Sequence, residues 1–231
     1  MENRSSDHIR SSEKFIAIGD VHGCARSLSA LIEKIRPYRD RTHMFIGDYI
    51  DRGPDSSGVV ESIIAFARDH HCVFLRGNHE KMLMDAIQSG ERTFWLMNGG
   101  METLGSYQIH DPAEIPARHL EFFQQTRLWH DTPDYLFIHA GLDPDQSIEQ
   151  QLTSPDIENT ALWERRHIHE PVSWEKPVVF GHTPVREPLI DDRKMGIDTG
   201  CCFPNRGYGH LTALLLPERT VISQECLDFI T

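Results

Sequence analysis

The chain has 231 residues, 39% of them hydrophobic, and a formal net charge of −12 with a pI near 5.5. That length allows a sizeable core in one domain or two. So acidic a balance excludes a broad nucleic-acid footprint, because phosphate backbones select basic surfaces, and any phosphorylated substrate must be held by a locally positive site.

The segment 1–13 is polar, lacks an apolar signal region and is expected to be disordered. No apolar run is long enough to span a membrane, so a cytoplasmic protein with no membrane partner is expected. Five cysteines (Cys24, Cys72, Cys201, Cys202 and Cys226) form no Cys-x-x-Cys pair. They are expected as free, packing thiols of a reducing compartment.

Lys14 to Ile18 is a near-continuous apolar run of the buried-strand kind, ending in Gly19-Asp20-Val21-His22-Gly23. Leu28, Leu31, Ile32 and Ile35 then share one helical face, which Pro37 closes. Met44-Phe45-Ile46 reads as a second strand and runs into Gly47-Asp48-Tyr49-Ile50-Asp51-Arg52-Gly53. Val59, Val60, Ile63, Ile64 and Ala67 mark a second amphipathic helix. Cys72 to Leu75 is a third strand, ending in Arg76-Gly77-Asn78-His79-Glu80, and a helix with Met82, Leu83, Ala86 and Ile87 follows. Three strand–loop–helix units in succession predict parallel strands with right-handed crossovers.

Residues 91–133 predict a helical insertion broken at Gly99-Gly100, with a further helix over 116–126; it either shapes a substrate cleft or covers the sheet. Tyr135 to Ile138 is a strand ending in His139-Ala140-Gly141. The stretch 142–176 is acidic, contains prolines and has no clear period. Pro177 to Phe180 is a strand ending in Gly181-His182-Thr183. Gly196 to Gly200, Leu211 to Leu216 and Thr220 to Ser223 predict antiparallel strands completing a second sheet. No linker divides 14–231, so one domain is expected.

Five strand ends thus offer Asp20 and His22, Asp48, Asn78, His139, and His182. Ligands bind at such ends in α/β sheets. This oxygen and nitrogen set suits two divalent cations, Mn²⁺ first, with Fe or Zn as alternatives. One division shares Asp48, with Asp20 and His22 completing one metal and Asn78, His139 and His182 the other. Two such cations, offset by two aspartates and a hydroxide and joined by Arg52, leave a local positive charge. That charge suits a phosphoester.

Gly-Asp-Val-His-Gly at 19–23, Gly-Asp-Tyr-Ile-Asp-Arg-Gly at 47–53 and Gly-Asn-His-Glu at 77–80 resemble the three-part signature of the phosphoprotein phosphatases, within the calcineurin-like metallophosphoesterases. His139-Ala140-Gly141 and Gly181-His182-Thr183 match its two later histidine motifs. Asp-Thr-Gly-Cys from 198 resembles the bacterial and bacteriophage Ser/Thr phosphatase branch. The resemblance implies an α/β fold, a four-layer α/β/β/α sandwich of two mixed sheets flanked by helices. It implies single-step hydrolysis by a metal-bridging hydroxide. It implies His79 as general acid, Asp51 holding and polarising it, and Arg52 and Asn78 on the phosphate. A second phosphate-binding arginine is implied at Arg165, within Leu162-Trp163-Glu164-Arg165, with Arg166 adjacent.

The leading expectation is a Ser/Thr protein phosphatase acting on a phosphoprotein or phosphopeptide, and also on phosphotyrosine and small esters. One alternative is a dinucleoside tetraphosphate hydrolase, whose branch usually has Asp after Gly-Asn-His and lacks Asp-Arg-Gly. Another is a degenerate binding scaffold. Elsewhere the residues read plainly. Asp143 and Asp145 predict a turn, and His167 and His169 a solvated loop. Trp163 and Trp174 line cleft or core. His43, His70, His71, His110, His119, His130 and His210 fit no motif and are expected at the surface.

Overall fold

The structure is a computed structural model that describes residues 13–229; disorder expected for 1–13 therefore falls, except for Glu13, outside the described residues. In chain order the elements begin β1 Phe15–Ile18, α1 Ala25–Ile35, β2 Thr42–Phe45, α2 Ser56–Phe66, β3 Cys72–Phe74 and α3 Asn78–Ser89. The helical stretch that follows comprises α4 Thr93–Trp95, one π turn at Leu96–Gly100, α5 Met101–Tyr107 and α6 Ala117–Gln125. The second half comprises β4 Trp129–Asp131, β5 Leu136–Ile138, α7 Ile148–Leu152, α8 Ile157–Trp163, β6 Val178–Phe180, β7 Leu189–Ile190 and β8 Lys194–Gly196. It ends in β9 His210–Leu216 and β10 Thr220–Glu225.

The period-two alternation of the strands sorts side chains into three apolar layers. Ile16 and Ile18 point to α1 and α2, packing with Leu28, Leu31, Val59 and Ile63. Phe15 and Ala17 point the other way and meet Phe137, Val179 and Met195 of the second sheet. Leu136, Ile138, Val178 and Phe180 pack outward on Ile148 of α7 and Ala161 of α8. The order is helices, sheet, sheet, helices. Each fully buried Leu, Ile or Val contributes about 1.5–3 kcal/mol.

The first sheet runs β10-β9-β1-β2-β3 and the second β4-β5-β6-β8-β7. β1, β2 and β3 are parallel, as the crossovers dictate. The expectation that Leu211 to Leu216 and Thr220 to Ser223 complete the second sheet is corrected. β9 pairs antiparallel with β1, and β10 with β9, in the first sheet. The cause is two-sided burial: Leu211, Ala213 and Leu215 face the α1 side while Leu214 and Leu216 face the other sheet. A strand apolar on both faces belongs inside a sandwich. The second sheet is completed instead by β8, parallel to β6, and by the short edge strands β4 and β7, which carried no sequence signal.

Three surface assignments are also corrected. His43 is fully buried, edge-on to the rings of Phe66 and His70 at 5.0 and 5.2 Å. His119 is buried between Tyr107 Oη, 2.7 Å from its Nδ1, and Glu61. His167, expected in a solvated loop, is buried edge-on to Phe180 at 4.5 Å, beside Trp174. In each case aromatic neighbours remote in sequence supply the burial. Among the described residues, no helix is long and apolar enough to cross a membrane.

Candidate active site

β1, β2, β3, β5 and β6 all end on one edge of the sandwich, and their loops converge there. The β2 loop is the tightest. Asp48, Asp51 and Arg52 have φ of 51°, 72° and 67°, and His22 and His182 have 46° and 64°. Left-handed backbone at non-glycine residues costs on the order of 1–3 kcal/mol each and persists only when the surroundings dictate it. Here they do. The buried carboxylate of Glu80, at the start of α3, accepts from the backbone N–H groups of Asp48, Tyr49 and Gly77 at 2.8–2.9 Å. Gly47 sits at φ 112°, and a Cβ there would lie 2.6 Å from Gly77 N. The two loops thus share a space that only glycine allows.

Asp48 lies at the centre. Its Oδ2 is 3.4 Å from His22 Nε2 and 3.9 Å from His79 Nε2, and its Oδ1 is 3.4 Å from His139 Nε2. Asn78 Oδ1 lies 3.0 Å from His139 Nε2 and 2.9 Å from His182 Nδ1. His22 Nδ1–H donates to Ile50 O at 2.9 Å and His139 Nδ1–H to Ile46 O at 3.1 Å, which turns each Nε2 lone pair inward. Asp20 Oδ2 accepts from His182 N–H at 2.9 Å, while its buried Oδ1 has no partner. Asp48, His22 and His79 form one group with ligand atoms within 4.8 Å, and Asp48, His139 and His182 form another.

The electrostatics match a cation site. Burial, then the charges of Asp198 and Asp48, raises the pKa of Asp20; burial chiefly raises that of Asp198 to about 7. Burial opposes charge on Asp48 too, yet its pKa lies below the ordinary carboxylate range; of the histidines around it, His79 is the one whose own pKa is raised. Burial keeps His22 and His139 neutral and lowers His182 to about 2. Crowded carboxylates facing neutral imidazole lone pairs, with one acceptor oxygen orphaned, are an oxygen and nitrogen donor set that fits divalent cations bridged by Asp48.

His79 is fully buried, and its Nδ1 lies 2.7 Å from Asp51 Oδ2. Its Nε2 has no hydrogen-bond partner and faces the site. Burial disfavours its charge, yet Asp48 and Asp51 raise its pKa above the ordinary value. Asp51 is itself held from the helical stretch: Trp95 Nε1 donates to both its oxygens at 3.0 and 3.1 Å, and Thr103 Oγ1 at 2.6 Å. Arg52 stands at the mouth, with Nη1 2.8 Å from His22 Nε2 and its guanidinium 5.4 Å over the Phe203 ring. Its backbone N–H donates to the carbonyl of Gly99, whose φ of 110° and lack of Cβ permit the approach.

Arg165 Nε donates to His182 Nε2 at 3.0 Å, whereas Arg166 turns away to pair with Asp143, Asp145 and Glu170. Asp143 Oδ1 accepts from Asp145 N–H in a turn, as the sequence suggests. Trp163 packs edge-on against the His182 ring at 5.9 Å, and Trp174 is core. Every residue named from the sequence as a candidate ligand, acid or phosphate contact is brought to this one place. Sequence reading missed four others there. Asp198 was signalled only by Asp-Thr-Gly at a strand end, and Glu80 only by its place three residues after Gly77. Trp95 and Thr103 carry no local signal, because their partner lies more than forty residues away.

The family model for the calcineurin-like phosphoesterases matches residues 13–208. The chain is 31% identical over 237 residues to a bis(5'-nucleosyl)-tetraphosphatase PrpE (asymmetrical) of Halalkalibacterium halodurans, covering 91% of this chain and 93% of that protein. It is 33% identical over 196 residues to serine/threonine-protein phosphatase 1 of Salmonella typhimurium, covering 80% and 86%. Among solved structures, the cold-active protein-tyrosine phosphatase of a psychrophilic Shewanella species superposes with a TM-score of 0.65 at 17% identity, covering 92% of this chain and 80% of that one. A protein serine/threonine phosphatase from Saccharomyces cerevisiae gives 0.61 at 17%, covering 94% and 81%. At such identities these likenesses speak for the fold alone. From the matched model and the full-length relatives, the chain is a member of the calcineurin-like metallophosphoesterase family.

Proposed function

We propose that the protein is a phosphomonoesterase that hydrolyses phosphoserine and phosphothreonine in a protein or peptide, with two divalent cations, Mn²⁺ first. Asp20, His22 and Asp48 would hold one cation, and Asp48, Asn78, His139 and His182 the other. When bound, such a pair supplies Lewis acidity and lowers the pKa of water to about 7. Arg52, which meets His22, and Arg165, which meets His182, would grip phosphate oxygens, with the Asn78 amide beside them. His79 holds its proton on Nε2, facing the leaving oxygen, while Asp51 fixes the ring by accepting from Nδ1.

The observation that carries this reading is the Asp51–His79 pair. A serine alkoxide is a poor leaving group and needs a positioned acid. A nucleotide released from a polyphosphate leaves as a stable anion and needs none. A buried histidine, with raised pKa and an unpartnered nitrogen aimed into the site, supports an ester with a basic leaving group. A second reading, dinucleoside tetraphosphate hydrolysis, is favoured by the name that the Halalkalibacterium relative carries.

The test compares kcat/KM on a phosphothreonine peptide and on diadenosine tetraphosphate with Mn²⁺. Higher turnover of the peptide, lost in His79→Asn, is the expected result. Preference for the tetraphosphate, undiminished in His79→Asn, would establish the second reading and sink the first.

A further inference from the structure

Three cysteines far apart in sequence meet behind the site. The sulfurs of Cys24, Cys201 and Cys226 all lie within 4.8 Å of one another. They come from three segments: the loop entering α1, the turn after β8 and the residue after β10. The side chains are shut from solvent, at 0%, 1% and 7% exposure. Cys202 and Cys72 lie outside the group.

The cluster is anchored on every side. Cys226 N–H donates to Gly209 O at 2.8 Å. Two residues on, the Asp228 carboxylate accepts from the Arg26 and Ser27 N–H groups at 2.9 and 3.0 Å. Leu227 N–H donates to Ser27 Oγ at 2.9 Å, which occupies the hydroxyl nearest the cluster. The oxygen groups around the thiols are thus engaged; the Cys24 thiol also meets His22 O at 3.5 Å, and the ligand atoms that converge are the three sulfurs.

From this geometry we infer that Cys24, Cys201 and Cys226 bind one monovalent copper ion, Cu(I), in a three-sulfur site separate from the oxygen and nitrogen site on the strand ends. Soft thiolates select Cu(I), zinc and iron–sulfur clusters over harder cations. Structural zinc takes four ligands, and the cluster presents three, which is the number that trigonal Cu(I) accepts. Burial shields Cu(I) from oxygen. Binding displaces thiol protons to solvent, with one S–Cu bond formed for each proton lost and no change of oxidation state. The ion would tie the loop two residues after His22 to the turn three residues after Asp198, fixing both behind the catalytic edge.

The test titrates the full-length, Mn²⁺-loaded protein anaerobically with Cu(I) against a chromophoric Cu(I) chelator. One Cu(I) per chain is expected, with sulfur alone in the first shell by X-ray absorption and a raised melting temperature. Cys24→Ser and Cys226→Ser should each weaken retention by at least about 10–100-fold, the scale that outer-shell partners alone command. Retention unchanged in both variants, nitrogen in the first shell, or preferential uptake of Zn²⁺ would each overturn the inference. Should a variant fail to fold by circular dichroism, the absorption spectrum of the unaltered protein decides. None of these readouts depends on which phosphate compound the protein hydrolyses.

Discussion

The loops of the first sheet and those of the second meet at one cleft but are built differently. The first sheet contributes Asp20, His22, Asp48, Asp51, Arg52, Asn78 and His79 from three loops, four of these residues in left-handed backbone held by Glu80, Trp95 and Thr103. The second contributes His139 and His182, which lean on the first: His139 donates to Ile46 O, and the His182 amide donates to Asp20. The first half, with four of the five left-handed site residues named above, is a template, and the second half, which has His182 alone, is positioned by it. Alterations in the template should therefore propagate across the cleft, and alterations in the other half should stay local.

The largest effect is expected from Asp48→Ala, which removes the carboxylate that belongs to both ligand groups. Metal analysis after dialysis should find both ions lost and turnover at background; His139→Ala should retain one of the two. Equal loss in both variants would erase the distinction between the halves. Next is His79→Asn. The kcat on an alkyl phosphate should fall by about 10²–10⁴-fold, with a much smaller fall on p-nitrophenyl phosphate and unchanged metal content. An equal fall on both substrates would remove His79 from the proton-donor role.

Smaller again is Trp95→Phe, which leaves the buried Asp51 oxygens short of a donor. It should lower stability by about 1–3 kcal/mol in urea unfolding and reduce kcat without altering metal content; loss of metal would mean that the tether supports the ligands as well. The smallest effect concerns a histidine away from the cleft. Burial first, then the charge of Lys194, lowers His167 to about 4. An unfolded histidine titrates near 6.5, so the unfolded state binds the extra proton between these values. The stability that neutral His167 contributes is complete above about pH 6.5 and is lost as pH falls through 4. His167→Phe should therefore remove about 1.4 kcal/mol of the destabilisation seen at pH 5.5 relative to pH 8. A pH–stability curve parallel to that of the unaltered protein would show that His167 does not titrate on unfolding.

The legibility of the sequence follows the same division. Asp20, Asp48 and Asn78 stand directly after apolar runs, so chain period alone puts them at strand ends. His139 and His182 were found the same way. Helices α1 and α2 were readable because their apolar faces repeat every three to four residues. What was not readable depends on contacts between distant segments. β9 and β10 look like any antiparallel pair, and only the two-sided burial of β9 places them beside β1. His43 and His167 sit among aromatic rings that no local pattern announces. The three sulfurs behind the site are separated by 177 and 25 residues, a juxtaposition only the fold creates. Where Arg165 and Arg166 turn is likewise set by three-dimensional neighbours: one meets His182, the other Asp143, Asp145 and Glu170.

The grip on Asp51 has a consequence for how this scaffold can vary. One indole and one hydroxyl connect the helical stretch between β3 and β4 to the carboxylate, and a carbonyl at Gly99 meets Arg52. The rest of that stretch is tied in elsewhere, by Ser106 to Ser57 and Asp55, by His119 to Glu61 and by Leu104, Phe122 and Phe123 in the core, while Phe94, Met97 and Met101 stand exposed. Variation is therefore confined to the outward surface around these three exposed side chains, while the face that holds Asp51 and Arg52 is fixed by Trp95, Gly99 and Thr103.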